Sequence, residues 1–109
     1  PLILTGGAIA RPRKVALVGS QNDIAATLLG QLGVKHQDFL FSKNMMSDAT
    51  PKFAFFDVPD AFGMVSEENS IIYDNKTQKI VYDQGRKGYN LKRGQAYLQK
   101  LYDDIASKK

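Results

Sequence analysis

The stretch FAFFDVPDAFGMVSEENSIIYDNKTQKIVY, residues 53–82, decides how this chain folds. Four short runs of aromatic and β-branched character stand in it: Phe53-Ala54-Phe55-Phe56, Phe62-Gly63-Met64-Val65, Ser70-Ile71-Ile72-Tyr73 and Lys79-Ile80-Val81-Tyr82. Pro59-Asp60 has turn chemistry, and Asp74 to Gln78 predicts a hairpin loop of about five residues. Strands that follow one another through short turns pair antiparallel, because a parallel neighbour needs a long crossover. The expectation is an antiparallel sheet of about four strands in an α+β fold.

On the C-terminal side, Asn90 predicts the cap of a closing helix with Leu91, Leu98, Leu101, Tyr102 and Ile105 on one side. Gly94 inside it costs about 1 kcal/mol relative to Ala, so that helix is expected to lean on the sheet. On the N-terminal side, the apolar run Leu2-Ile3-Leu4 ends at Thr5-Gly6-Gly7, and Val15-Ala16-Leu17-Val18 ends at Gly19. Both predict short strands. A helix should follow, with the Ser20 hydroxyl capping residue 23, Asp23 supplying an acceptor in the first turn, and Gly33 as a left-handed C-cap. Ile24, Leu28 and Leu32, with Ala25 and Leu29 beside them, give it one apolar face. Residues 34–52 predict an irregular crossing. The whole is expected as one domain over 1–109, with a strand and helix portion at 1–35 and the sheet and last helix at 36–109.

Composition narrows the function classes. The 109 residues are 43% hydrophobic and 24% charged, with no cysteine and no tryptophan. Disulfide scaffolds, thiolate zinc sites, iron–sulfur clusters and cysteine nucleophiles are excluded. The uncharged stretches 1–10 and 24–34 are too short to span a bilayer. The net charge of +4 is uneven: residues 1–85 carry 8 Lys/Arg against 9 Asp/Glu, and residues 86–109 carry 7 against 2. The excess therefore belongs to Arg86, Lys87, Lys92, Arg93, Lys100, Lys108 and Lys109, most of them on the solvated face of the last helix.

Side-chain chemistry offers little to assemble. His36 is the single histidine, and Asp38 beside it matches no metal spacing. The carboxylates of Asp57, Asp60, Glu67, Glu68, Asp74 and Asp83 could serve acid/base work as pairs, but most fall where turns use Asp as a former. Thr5-Gly6-Gly7 lacks the lysine and helix start of a phosphate loop. Neither Ser20 nor Thr27 has a base at a predictable position. No catalytic, metal or cofactor residue is assigned.

One segment goes beyond pattern. Ser20-Gln21-Asn22-Asp23-Ile24-Ala25-Ala26-Thr27-Leu28-Leu29, followed by Leu32-Gly33, resembles the S-Q-x-D-I-x-P-T-L-L…L-G segment of sulfatase-like members of the alkaline phosphatase superfamily. Within that group it is most similar to the lipoteichoic acid synthase and phosphoglycerol transferase branch. Phe41-Ser42-Lys43-Asn44-Met45-Met46, Phe53 to Phe56, Phe62-Gly63 and Ile72-Tyr73-Asp74-Asn75 resemble later segments of that branch in the same order, and Pro1-Leu2-Ile3-Leu4 resembles a strand that follows its metal-binding Asp-His pair. Two positions depart: Ala26 stands for a proline and Ser42 for a glycine.

The resemblance implies a non-catalytic C-terminal part of a membrane-anchored hydrolase or transferase, with residues 1–35 at the edge of the catalytic core. Ser20, Asp23, Thr27 and Gly33 then mark a structural motif, since the family's nucleophile and metal ligands match nothing here. It further implies a divalent metal (Mn, Mg or Ca) in the parent, none held by this segment, and the upstream catalytic domain as partner. Nucleic acid is not expected, membrane contact comes only through the parent's anchor, and the location is the extracytoplasmic face of the bacterial cell membrane. Two rivals predict different chemistry: a self-standing module binding nucleic acid or anionic lipid through the basic last helix, and a small enzyme built on Asp57 and Asp74.

Overall fold

A computed structural model describes residues 2–7 and 9–109. In chain order its elements are α1 (Asp23–Gln31), β1 (Phe53–Val58), β2 (Ala61–Ser66), β3 (Asn69–Asp74), β4 (Lys79–Gly85) and α2 (Leu91–Ser107). Two compact units result: residues up to 17 with 21–51, and residues 18–20 with 52–109.

The second unit is the expected α+β meander, one antiparallel sheet in the order β1-β2-β3-β4. Pairing of Phe55 with Met64, Met64 with Ile71 and Phe62 with Tyr73 puts these side chains on one face. Leu98 of α2 completes the core there. Phe62, fully buried, lies between Phe55 and Tyr73 with ring centroids 5.7 Å from each, and Tyr97 covers Phe55 at 4.4 Å. Each such ring contributes roughly 1.5–3 kcal/mol through burial, so the cluster accounts for much of what holds helix to sheet.

Gly94 explains how close the two layers come. A Cβ at that position would lie 2.2 Å from the Phe62 ring, so the helix can rest on Phe62 only where it has no side chain. The expectation that α2 leans on the sheet holds at this residue, whose propensity cost is the condition of the packing. Further along, Tyr102 and Ile105, expected on the packed side, are about half exposed.

The turns follow their chemistry. Asp60 takes the left-handed conformation (φ 62°) in the two-residue link between Val58 and Ala61. Asp74 Oδ1 accepts from the backbone N–H groups of Lys76 (2.8 Å) and Thr77 (2.9 Å), closing a loop from Asp74 to its pairing partner Lys79. In β4 a register irregularity opposite Ile72 and Tyr73 leaves Val81 without a partner.

The first unit departs from expectation in three respects. Leu2 to Leu4 and Val15 to Val18 form no strand, and Pro1 lies outside the described residues; Leu2 and Ile3 are exposed. The apolar face of α1 is also not the buried one: Asp23, Ala26 and Thr27 are buried, while Leu28 and Leu32 face outward. Third, Asn22 rather than Ser20 is the N-cap residue, and it makes no side-chain cap bond. The C-terminus of α1 is as expected. Gly33 (φ 67°) donates to the Gly30 carbonyl and Val34 to that of Leu29, the two bonds of a Schellman cap. Residues 34–51 form turns only. They belong with α1, and the passage to the second unit falls between residues 51 and 52.

Candidate functional site

Two polar clusters stand out, one in each unit. The first is built on α1. Asp23, 1% exposed, accepts from the backbone N–H of Lys43 at 2.9 Å and from its ammonium at 2.8 and 2.9 Å. Four residues on, the Thr27 hydroxyl donates to the Asp23 carbonyl at 2.6 Å and accepts from the N–H of Met45 at 3.0 Å. The Ser42 hydroxyl accepts from the N–H of Ala26 at 2.8 Å, and the Asn22 amide donates to the Phe41 carbonyl at 3.2 Å. The segment 41–45 is thereby fastened along α1 by backbone and side chain together. A buried carboxylate needs such a set of donors, since unpaired it would cost several kcal/mol.

Its place in the first turn of α1 marks Asp23 and the family resemblance marks Thr27, yet neither signal marks their partners, which lie 16 to 20 residues away. Ser20 has a different task from the one expected. Its hydroxyl accepts from the N–H of Phe55 and donates to the Phe55 carbonyl, both at 2.9 Å, taking the place of a neighbouring strand at the edge of β1.

The second cluster joins the β2–β3 turn to the start of α2. Asn69, 2% exposed, donates to Asp83 Oδ1 (2.7 Å) and to the Gln84 carbonyl (2.9 Å) and accepts from the N–H of Asn90 (3.1 Å). Asn90, fully buried, donates to the Ser66 hydroxyl (3.0 Å) and the Asn69 carbonyl (2.6 Å). Its side chain makes no cap bond, so the expected capping role passes to the backbone. Outside this knot, Tyr89 carries Arg86 at 4.8 Å and Arg93 at 5.3 Å from its ring centroid. Beside them Glu68 is held below the usual carboxylate value, chiefly by the Ser66 hydroxyl at 2.7 Å and further by its own backbone N–H and the charges of Arg93 and Arg86.

The remaining candidates are dispersed. His36 sits in a loop between turns. Asp57 is exposed on β1, Asp74 serves its turn, Asp83 holds Asn69 and the N–H of Gly88, and Glu67 makes a surface pair with Lys52 at 3.4 Å. Among the described residues no three His, Asp or Glu lie together in a metal-holding group, and no helix is long and apolar enough to cross a membrane. Every buried side-chain nitrogen and oxygen among them has a hydrogen-bond partner. Both clusters are thus framework in their chemistry, with their polar groups satisfied internally. Comparison of the chain with family models, with curated proteins and with solved structures finds no match.

Proposed function

We propose that the chain is the non-catalytic C-terminal structural part of a sulfatase-like phosphoglycerol transferase, or of a related sulfuric or phosphoric ester hydrolase, and that it is inactive in isolation. The observation that carries this reading is the bond between Ala26 and Ser42. These are the two positions at which the chain departs from the family pattern. A proline at 26 would bring no N–H, and a glycine at 42 would bring no hydroxyl. Alanine at this fully buried position brings an N–H that stands at i+4 to the Asn22 cap carbonyl, and the serine hydroxyl gives that donor a second acceptor, which ties the helix to residue 42. Two departures that compensate each other are what a retained framework would accumulate. The outward-facing Leu28 and Leu32 of α1 further support an element meant to lie against more protein.

On this reading the partner is the upstream catalytic domain of the same chain. That domain holds the divalent metal (Mn, Mg or Ca) and performs the transfer at the extracytoplasmic face of the cell membrane, where only the parent's anchor enters the bilayer. Ser20, Asp23, Thr27 and Gly33 shape and hold the supporting element. The reading frame ahead of Pro1 tests this directly. An Asp-His pair shortly upstream, with hydrophobic spans far upstream, is expected; a start codon immediately before residue 1 refutes it. Purified chain should likewise turn over no phosphodiester or sulfate ester with Mn²⁺ or Mg²⁺, and any turnover refutes the assignment.

A second reading, a binding module for nucleic acid or anionic lipid, is favoured by the two guanidinium groups on Tyr89. It predicts binding that falls steeply with salt and weakens when Lys92, Arg93 and Lys100 become Ala. Absence of binding at low salt eliminates it.

A further inference from the structure

At the end of the sheet opposite the asparagine knot, an open groove of about 400 Å³ is lined by Asp60, Asn75, Gln95, Leu98, Gln99 and Tyr102. Neither polar cluster uses any of these residues. The N–H of Asn75 donates to the Asp60 carbonyl at 2.7 Å, which ties the β1–β2 turn to the β3–β4 turn and sets their two side chains side by side. Gln95, Gln99 and Tyr102 recur at helical spacing and so present one face of α2 to the same space. Leu98, almost fully buried, forms the floor, and the Tyr102 ring stands 51% exposed.

The chemistry of this lining is selective. Three carboxamides can each donate and accept, and Asp60 can accept through both oxygens. The Gln99 amide nitrogen is engaged with Asp103 at 2.8 Å, which leaves its oxygen directed to other donors. The charge on the lining is the negative one of Asp60, with Asp103 next to Gln99, so phosphate and carboxylate ligands are repelled. A wholly apolar ligand would strand the amides without partners. What fits is a neutral molecule with one flat C–H face for the tyrosine ring and a rim of hydroxyls for the amides and the carboxylate.

We propose that this groove binds a neutral sugar ring, stacked on Tyr102 and held through its hydroxyls by Asp60, Asn75, Gln95 and Gln99. The site lies wholly within the second unit and stands or falls independently of the framework role proposed above. A shallow site that holds one small ring should bind with a dissociation constant on the order of 1 mM.

The test is titration of the isotopically labelled chain with the methyl glycosides of glucose, galactose and mannose, followed residue by residue by NMR, with sn-glycerol 3-phosphate as the anionic comparison. At least one glycoside should give saturable shifts confined to residues 60, 75, 95, 99 and 102 and their neighbours. Tyr102→Ala should weaken it about tenfold or more, while Tyr102→Phe, which keeps the ring, should stay within about threefold. Asp60→Asn, which keeps a side chain that tolerates the left-handed turn, should weaken it at least about threefold. The proposal is overturned if no glycoside saturates by about 100 mM, if glycerol phosphate binds more tightly than the sugars, or if affinity is unchanged in both Tyr102→Ala and Asp60→Asn.

Discussion

Replacing Gly94 by Ala should destabilise the protein, against the rule for helix interiors. At an ordinary helical position the change stabilises by about 1 kcal/mol, because alanine loses less backbone entropy. Here the added Cβ would lie 2.2 Å from one carbon of the Phe62 ring and 3.0 Å from two others, where carbon atoms need about 3.5–4.0 Å. Phe62 is 0% exposed and flanked by Phe55 and Tyr73, so it has nowhere to turn. Overpacking of this kind costs roughly 1–3 kcal/mol, and a deficit beyond an ångström places it near 3. The net loss is then about 2 kcal/mol, a fall in melting temperature of roughly 9 °C for a chain this long. Urea unfolding followed by far-UV circular dichroism measures the loss directly. Gly63→Ala serves as the contrast: its Cβ would meet the Phe56 ring at 1.9 Å, but that ring is 42% exposed and can swing aside. Its cost should stay under about 1 kcal/mol. A Gly94→Ala protein as stable as the parent, or a Gly63→Ala protein damaged more than Gly94→Ala, would refute the reasoning.

Further outcomes follow from the same contacts. Ser42→Gly should cost about 0.5–1.5 kcal/mol in the parent, the net value of one hydrogen bond, and close to nothing in an Ala26→Pro background, since proline has no N–H to donate to the serine; additive losses in the urea cycle would show that the pair is not coupled. Asp23→Ala removes the acceptor of both Lys43 donors, and because the lysine side chain is only 14% exposed the loss should be about 3 kcal/mol, at the low end for a broken buried pair. Asp74 is held below its usual 3.8, chiefly by the backbone N–H of Thr77, so its contribution is present at neutral pH and fades as pH falls through the lowered value. The stability difference between the parent and Asp74→Asn should accordingly be largest near neutral pH and shrink below about pH 4, and a difference that grows on acidification counts against the turn assignment.

The sheet was legible because its signals are local. Aromatic and β-branched runs, Pro59-Asp60 and Asp74-Asn75 each settle their own few residues, and short links leave only an antiparallel order. What could not be read depends on distant partners. Ser20 and Asn90 both have the chemistry of a cap, yet the hydroxyl of Ser20 is taken by Phe55, and the amide of Asn90 is held with its nitrogen donating to Ser66 and Asn69 and its oxygen accepting from Arg93. A cap bond is worth about 1 kcal/mol, whereas leaving the edge of β1 or the buried turn carbonyls unpaired would cost more. The tertiary partner therefore wins. The same logic inverts α1: the leucines suggested the inner face, but Asp23 and Thr27 find their partners in Lys43 and the backbone of residues 43–45, and so they take it. Strand composition alone did not make strands of Leu2 to Leu4 or Val15 to Val18, because a strand exists only with a partner whose free N–H and C=O groups it can meet.

The charge of the tail can be weighed in the same terms. Its +5 arises from seven cations and two acids, but the cations do not act as one surface. Lys87 donates to the Asp83 carbonyl, and Lys108 pairs with Asp104 at 2.6 Å. Arg86 and Arg93 rest on Tyr89, and their field falls in part on Glu68, whose carboxyl is lowered chiefly by the Ser66 hydroxyl and to a lesser degree by these two charges. Among the described residues Lys92, Lys100 and Lys109 have no such arrangement, and they are spread over the length of α2 and its end. A duplex contact is weakened by salt in proportion to the phosphates neutralised, with a slope of about 0.9 per phosphate. Three scattered lysines give a slope below about 3, far short of the 6–10 phosphate contacts that make such binding strong. The basic excess is better accounted for by local pairing around the asparagine knot and along one solvated helix face than by a phosphate-tracking surface.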